Sequence, residues 1–438
     1  METYIRDESS RLTIGGEVQL FTPPETIMGF NRSLYQEFKP TNPLDSPPYN
    51  IDIPYNQNFY DFRQHILITA WRGTIQEAGQ ARRFIAVGDN VSLVNGFGAV
   101  WPKDLFVLLN QKETHKETNY SHKNYLDILL SYTPEAKKSH LAMIGWYDDG
   151  DTQNAGTGFE SRRGLITDGK IAEFGCRINT PLFNTDKILV NNTELSLKIY
   201  PQSAQFLFIA PNVANDTILR LELMSMSLWV KRRDLSDSLA MNIQNRLKSG
   251  QSVMYSLRNH EIKTIYAEQG RTFIDVNVVT GPRPRRCIVC TFDRADFDGV
   301  YTSSPFTAKH HDKRTLQFSS NGEQVPHISY DMSYADNNER FVRPYFDMMD
   351  ACGFAFSPNT NGITMKMFKN GYNIYVVNLT RSLDDHKEFD VVVHGTTNLR
   401  IDFSQPIGAG GITVLVSMEY DQLLKINHDR VVTTDLMA

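Results

Sequence analysis

Two cysteines separated by two residues are the first candidates for chemistry in this chain. Cys287 and Cys290 have the spacing of a zinc-binding or redox pair, and His310 and His311 could complete a metal site. The cysteines lie in the apolar run RRCIVCTFDR, which is typical of a β-strand, where side chains three residues apart point to opposite faces. We therefore predict two buried structural thiols, with a metal site as the alternative.

Three other polar motifs each lack a residue that their chemistry requires. His260-Glu261 begins like the helix of a zinc protease, but Thr264 stands where the second histidine is needed. The sequence DDGD at residues 148–151 resembles part of a calcium loop without its closing glutamate, so we interpret it as a solvated turn. The sequence GAGG at residues 408–411 lacks the lysine of a phosphate-binding loop and is interpreted as a turn before a strand.

These gaps leave no residue with an assigned catalytic, cofactor-binding or metal-binding role. We therefore expect a protein that is not an enzyme and that uses no cofactor. Scattered Asp, Glu and His residues could still assemble a site in three dimensions, so a β-rich enzyme is kept as an alternative.

Composition describes an ordinary globular protein of about two domains. The 438 residues are 41% hydrophobic, 22% charged and 11% aromatic, and the net charge is −5. Two basic clusters, at residues 231–233 and 283–286, are interpreted as solvated strand ends, because three charges give only weak, salt-dependent phosphate binding. A protein that coats nucleic acid usually carries a longer basic arm or stripe, and none is found in the sequence.

The cysteine content and the hydrophobic pattern indicate where the protein is made. Four cysteines do not form a disulfide framework, and no run of 18 apolar residues occurs. The N-terminus METYIRDESS has no apolar segment typical of a signal peptide. We expect a soluble protein that is synthesised in the cytosol.

Most of the chain has the alternating hydrophobicity of β-strands. In the first half we predict strands at residues 34–39, 50–55, 65–76, 102–113, 170–179, 193–200, 205–210 and 217–230. In the second half we predict them within residues 261–270, 272–281, 285–294, 311–329, 371–380, 388–404 and 412–421. Asn321-Gly322 predicts a two-residue hairpin, because both positions of such a turn need positive φ. The total of about eight strands per half is typical of a jelly roll.

A short helix interrupts the strands once in each half. Residues 121–130 place Tyr125, Leu126, Leu129 and Leu130 on one helical face, with Ser121 as the predicted N-cap. Residues 335–354 form the second such region, about 215 residues later, which indicates a duplicated β-unit.

A further amphipathic segment lies between the halves and gives the domain boundaries. Leu239, Ile243 and Leu247 form one apolar stripe, and Gly250 stands where a helix would end. We predict an extended N-terminal arm at residues 1–28, a first jelly roll at 29–236, a linker helix at 237–256 and a second jelly roll at 257–438. The predicted fold class is therefore all-β, a double jelly roll with short helices between strands.

Five segments, in this order, resemble one family. They are NYLDILLSYTPEAKKSHL (124–141), GPRPRRCIVCTFDRADFDGVYTSSPF (281–306), NGEQVP (321–326), FKNGYNIYVVNLT (368–380) and LRIDFSQPI with VLVSMEYDQLLKINHDRVV (within 399–432). From about Leu34 onward the chain resembles the major capsid proteins of Polinton (Maverick) elements and adintoviruses, which belong to the double-jelly-roll capsid lineage of double-stranded DNA viruses. The loop from Asp148 to Arg162 departs from the family pattern.

The resemblance implies a structural role in a virion. It implies two eight-stranded sandwiches per chain, a homotrimer that forms a pseudo-hexameric capsomer, and capsomers that tile an icosahedral shell around double-stranded DNA without sequence-specific contact. It also implies a single-jelly-roll penton protein as partner, with synthesis in the host cytosol and assembly in the nucleus. No catalytic, cofactor or metal residue is carried over from the family.

A jelly-roll protein that binds a glycan or a receptor is the alternative function. Aromatic residues on exposed loops would favour it. Trp71, Trp101, Trp146 and Trp229 instead lie within or beside apolar runs, which favours the capsid interpretation.

Overall fold

The computed structural model describes residues 28–149, 156–214, 216–383, 385 and 388–436. The predicted N-terminal arm, residues 1–28, lies outside this part of the chain except for Met28. Within the described residues no helix is long and apolar enough to span a bilayer.

The first half of the described chain contains eleven strands and five helices. The strands are Phe30–Phe38 (β1), Tyr49–Ile53 (β2), Phe59–Gln76 (β3), Arg83–Phe84 (β4), Ser92–Leu93 (β5), Pro102–Leu109 (β6), Lys112–Glu117 (β7), Ile171–Cys176 (β8), Leu195–Pro201 (β9), Phe208–Ile209 (β10) and Ile218–Leu235 (β11). The helices are Phe97–Val100 (α1), Tyr120–Ser131 (α2), Pro134–Lys138 (α3), Thr157–Ile166 (α4) and Ala204–Leu207 (α5).

Helix Asp237–Lys248 (α6) leads into the second half. The strands there are Val253–Ala267 (β12), Phe273–Pro282 (β13), Arg286–Asp293 (β14), Lys313–Ser320 (β15), Glu323–Val325 (β16), Ser333–Ala335 (β17), Asn338–Arg340 (β18), Ile374–Asn378 (β19), His394–Phe403 (β20), Ile412–Ile426 (β21) and Val432–Leu436 (β22). The helices are Arg294–Asp298 (α7), Val342–Ala351 (α8) and Met365–Lys369 (α9).

The first half forms one jelly roll of two antiparallel sheets. The β1 sheet has the strand order β1-β11-β3-β8, with β4 beside the end of β3, and the β2 sheet has the order β2-β9-β6-β7. Alternation places Ile51 and Ile53 of β2 and Leu197 of β9 in the interior, where all three are fully buried. Each such aliphatic side chain stabilises the fold by about 1.5–3 kcal/mol.

The second half repeats the same topology. The β12 sheet has the order β12-β21-β14-β19, and the β13 sheet has the order β13-β20-β15-β16. Strand by strand this is the order of the first roll, and β22 adds to the edge of β21. Helix α2 lies between β7 and β8, and α8 lies in the equivalent connection between β16 and β19. The predicted double jelly roll with short helices between strands is confirmed.

Two turns with positive φ angles test the predictions: one confirms a predicted hairpin and the other interrupts a predicted strand. Asn321 and Gly322 have φ of 51° and 84° and join β15 to β16, as predicted. The single strand predicted at residues 102–113 is wrong, because Asn110 and Gln111 have φ of 48° and 66° and turn the chain between β6 and β7. The strand predicted at 205–210 is mostly helix α5, with only Phe208 and Ile209 extended.

The helix between the rolls is shorter than the predicted linker segment 237–256. Helix α6 ends at Lys248, Gly250 has φ of 89°, and β12 begins at Val253. Leu247 is buried, whereas Leu239 is partly exposed. Only the end of the predicted apolar stripe is therefore fully covered.

Candidate functional site

The two rolls meet through a cluster of aromatic side chains. His122 of α2 stacks on Phe297 of the second roll, with ring centroids 4.3 Å apart, and contacts Phe292 and Phe306 edge-on. Tyr125, one turn further along α2, stacks on Phe306 at 4.0 Å with the ring planes 6° apart. Aromatic pairs of this kind contribute about 0.5–1.5 kcal/mol each beyond the area that they bury. The stacks therefore fix how one roll sits against the other.

Helix α2 is buried on every side because it lies between the rolls. Ten of its 12 residues are buried, including the polar Lys123 and Asn124 as well as the predicted apolar residues. The four residues of the predicted apolar face are all buried, and burial extends beyond that face. Ser121 is not the N-cap, because its hydroxyl donates to the Pro102 carbonyl at 2.7 Å and Asn119 precedes the helix with φ of 55°.

Hydrogen bonds extend the contact between the rolls on both sides of the aromatic cluster. The Lys137 ammonium donates to the Leu129 carbonyl at 2.7 Å and to the Asn361 carbonyl of the second roll at 2.6 Å. Burial lowers the pKa of Lys137 to about 8. The Tyr255 hydroxyl of the second roll accepts from the Val190 amide at 2.9 Å. These buried donors have acceptors, so their desolvation is compensated.

A polar cavity of about 750 Å³ lies beside this contact. Its walls come from both rolls. The polar residues that line it include Asn124, Asp127 and Asn179 from the first roll and Arg258, His260, Arg286 and Glu419 from the second.

Two ion pairs lie at this cavity, one between paired strands and one within helix α2. Arg286 Nε lies 3.1 Å from Glu419 Oε1, and Lys123 Nζ lies 3.3 Å from Asp127 Oδ2. Burial raises the pKa of Asp127, against the lowering effect of Lys123. Burial also holds the pKa of His260 well below its usual range, and the nearby Lys123 adds to this effect. Two charged pairs at the cavity are therefore matched within the chain, and burial disfavours a charge on the imidazole of His260.

The structure buries both cysteines of the CxxC motif in the centre of the β12 sheet. Cys287 and Cys290 lie on β14 with fully buried side chains, and burial raises the pKa of Cys290 to about 12. His311 faces Asp293, and His310 stacks on Tyr334 at 4.4 Å. Among the described residues no group of three or more His, Cys, Asp or Glu side chains could hold a metal ion.

Two other motifs lie where the sequence predicted. His260 and Glu261 are in the middle of strand β12, so the helix of a zinc protease is absent at that position of the described chain. Gly410 and Gly411 have φ of 91° and 73° in the turn directly before β21.

The predicted solvated turn at residues 148–151 is wrong for Asp149, while Gly150 and Asp151 lie outside the described residues. Asp149 forms a two-pronged ion pair with Arg162 of α4, at 3.0 Å and 2.9 Å, and both side chains are fully buried. Burial raises the pKa of the Asp149 carboxyl, against the lowering effect of Arg162. Arg162 Nε also donates to the Leu93 carbonyl, so this pair joins the connection after α2 to strand β5.

The two basic clusters differ in their surroundings. Arg233 pairs with Asp61 at 2.9 Å and Lys231 donates to Gln64, both in partly exposed positions at the end of β11. In the second cluster, Arg285 is buried and pairs with Asp421 at 2.8 Å. Arg286 is the arginine that lines the cavity described above. The interpretation of residues 283–286 as a solvated strand end is therefore wrong.

The tryptophans contribute mainly to the interior. Trp71, Trp101 and Trp146 are buried, and Trp229 is half-buried on β11. Trp71 packs against Trp101 with centroids 5.3 Å apart. The described tryptophans therefore form no exposed aromatic platform of the kind that sugar rings stack on.

Comparison of the chain with known proteins finds no matching family model. An uncharacterised protein of Caenorhabditis elegans, F54H12.2, is 23% identical over 325 residues, which cover 73% of this chain and 76% of the nematode protein.

Solved capsid structures share the fold at low sequence identity. A chain of the Sputnik virophage structure aligns with a TM-score of 0.64 and 11% identity, over 100% of this chain and 95% of that chain. The mavirus major capsid protein aligns with a TM-score of 0.55 and 11% identity, over 99% and 97%. The Faustovirus major capsid protein aligns with a TM-score of 0.55 and 9% identity, over 96% and 93%. The chain therefore has the double-jelly-roll fold of these proteins.

Proposed function

We propose that this chain is a major capsid protein that forms homotrimers. The observation that carries the proposal is the presence, in one chain, of two rolls with the same strand order, docked through α2. Three such chains supply six comparable lobes, so a closed three-fold oligomer can occupy a six-sided lattice position. The capsomers would then tile an icosahedral shell.

The fold comparisons and the sequence segments support different parts of the proposal. The solved structures support the capsid role, because they are capsid or virophage structures that align with nearly the whole chain. The finer assignment to Polinton elements or adintoviruses is supported by the five ordered segments. A relative in a nematode is compatible with an element that is carried in animal genomes.

The charge distribution supports a shell that encloses double-stranded DNA without reading its sequence. The net charge is −5, and the arginines of the second basic cluster are used in internal ion pairs with Asp421 and Glu419. We propose residues 29–236 as the first roll, 237–252 as the linker and the chain from Val253 of β12 onward as the second roll, which begins four residues before the boundary at 257 that the sequence predicted. The partners would be further copies and a single-jelly-roll penton protein, and the location would be the virion.

Assembly of the purified chain tests this function. Multi-angle light scattering after gel filtration should give three times the mass of one chain, and negative-stain images should show triangular or six-lobed particles. Addition of the penton protein should produce closed shells. A single chain mass at all protein and salt concentrations would contradict the proposal.

A further inference from the structure

The β12 sheet of the second roll is covered on both faces. Thr291 of β14 points into the roll, where its hydroxyl accepts from Lys313 Nζ at 2.6 Å. The neighbouring residues Cys290 and Phe292 therefore point outward, and Phe292 contacts His122 of the first roll. Leu415, paired with Cys290, is also fully buried. The first roll, through the connection that contains α2, thus covers the outer face of the second.

The equivalent face of the first roll is open. Leu67 and its partner Leu228 point into the interior, so Ile66, Ile68 and Arg72 of β3 point outward. The outward side chains also include Ile171 on β8 and Trp229 on β11. We call these residues the open face: Tyr35, Ile66, Ile68, Arg72, Ile171, Glu222, Met224 and Trp229.

The open face carries several exposed apolar side chains. Tyr35 and Ile171 are 53% and 55% exposed, and Met224 is 40% exposed. Ile66, Ile68 and Trp229 are half-buried and lie between them. Glu37, Glu173 and Lys231 point outward between these apolar side chains, so the face combines apolar and charged residues as protein contact surfaces do.

The second roll has a counterpart to the connection that contains α2. Its Asn361 carbonyl accepts from Lys137 of the same chain, but the part around α8 is exposed. Residues 326–373 join β16 to β19 and contain α8 and α9. One side of α8 carries Val342 and Phe346, which are 62% and 43% exposed. Phe356 follows the helix, is 87% exposed and contacts the ring of Phe346 at 5.8 Å. We call Val342, Phe346 and Phe356 the apolar tip. Neither roll of the described chain covers it.

We propose that residues 326–373 of one copy cover the open face of the first roll of the next copy. This step repeats between chains the contact that already exists within the chain, where helix α2 and Lys137 of the first roll lie against the second. Each chain has one open face and one exposed α8 segment, so copies can join head to tail, and a three-fold rotation between copies closes the ring. The inference rests on the proposed homotrimer, because closure after three copies is taken from it.

Two exposed substitutions, one on each side of the proposed contact, test this arrangement. Ile171→Asp places a charge on the open face, and Phe356→Asp places one on the apolar tip. Both positions are exposed in the single chain, so circular dichroism and the melting of the monomer should stay unchanged. Phe273→Asp is the matched control, since Phe273 is 55% exposed on the β13 sheet, away from both surfaces.

Light scattering should give three chain masses for the wild type and for Phe273→Asp, and one chain mass for each of the two test variants. An equimolar mixture of Ile171→Asp and Phe356→Asp should form a one-to-one dimer. The intact tip of the first variant can cover the intact open face of the second, but the ring cannot close.

The outcomes separate this inference from the proposed function. A trimeric wild type with trimeric test variants would refute the proposed contact and leave the capsid role standing. Monomeric variants that fail to pair in the mixture would refute the head-to-tail arrangement. A wild type that never trimerises would overturn the proposed function itself.

Discussion

His122 should make the docking of the two rolls sensitive to acid. Its ring is 2% exposed and is held between Phe297, Phe292 and Phe306. Burial lowers the pKa of His122 to about 3, and the Pro305 backbone acts in the opposite direction. In the unfolded chain the same group has an ordinary pKa of about 6.5. Protons therefore bind the unfolded state first as the pH falls.

The size of the effect follows from the two pKa values. Above a pH of about 6.5, the pKa in the unfolded chain, this group does not reduce the free energy of unfolding. As the pH falls from there toward about 3, the free energy of unfolding decreases by about 1.4 kcal/mol per pH unit. At about pH 5 the loss from this group, relative to about pH 8, is about 2 kcal/mol. His65 is also buried with its pKa lowered to about 3, so the wild type should lose more than this amount in total.

The variant His122→Phe isolates the contribution of one imidazole. Phenylalanine keeps a ring that can stack on Phe297 but binds no proton. Urea unfolding of both proteins, followed by fluorescence at about pH 8 and about pH 5, gives four free energies of unfolding. The loss between the two pH values should be about 2 kcal/mol smaller in the variant, because His65 and His260 contribute to both proteins.

Phe297→Leu serves as the control for the loss of packing alone. It removes the stacked ring and keeps His122, so it should lower the stability at both pH values. Equal pH dependence of the wild type and His122→Phe would refute the reasoning. It would mean that the imidazole is hydrated in the folded protein or that it keeps its proton between the rolls.

Three further predictions concern the burial of individual side chains. Leu126→Asp should abolish soluble expression because it buries an unpaired charge, whereas Phe346→Asp, on a half-exposed side chain, should leave the circular dichroism spectrum and melting of the monomer unchanged. Asp149→Asn should lower the free energy of urea unfolding by about 3–5 kcal/mol, because it leaves the Arg162 charge buried without a counter-ion. Ellman's reagent at about pH 8 should label almost no thiol in the folded protein and all four in denaturant, because burial raises the pKa of each of the four cysteines.

The alternation of hydrophobic residues was sufficient to predict most strands and the duplication. Leu195, Leu197 and Ile199 alternate with polar residues in β9, and every one of the three is buried. Asn-Gly at residues 321–322 predicted its hairpin because few other dipeptides adopt two positive φ angles without strain. These signals are local, so a single sequence carries them.

The missed turn between β6 and β7 is a feature that the local sequence does not predict. Asn110 tolerates a left-handed backbone, but Gln111 has no side-chain feature that favours one. The turn is stabilised from outside, since Asn110 donates to the Arg430 carbonyl and accepts from the Glu194 amide. Both partners are far away in sequence, so the pattern of residues 102–113 alone predicts a continuous strand.

The contact between the rolls could not be predicted for the same reason. His122 and Phe297 show no feature in their own segments that identifies them as partners. Arg285 and Arg286 look like a solvated basic cluster until β21 places Asp421 and Glu419 beside them. Burial of a charge is decided by the strand that pairs with it, and that strand lies more than a hundred residues later.

The last prediction concerns an ion pair on the open face that has an equivalent in the second roll. Its cross-strand pair Arg72–Glu222, at 2.8 Å, corresponds in sheet and face to Arg286–Glu419 of the second roll. In the single chain Arg72 and Glu222 are about 30% exposed, so Glu222→Gln should change the stability of the monomer by no more than about 1 kcal/mol.

In a ring of three, residues 326–373 of the next copy would shield this pair from water. Removal of the Glu222 carboxylate would then leave the charge of Arg72 buried without its counter-ion. The same substitution should then weaken trimer formation by about 2–5 kcal/mol, as measured by sedimentation equilibrium of the wild type and the variant. An equal effect on monomer and trimer would mean that the open face stays in water and that the trimer forms through another surface.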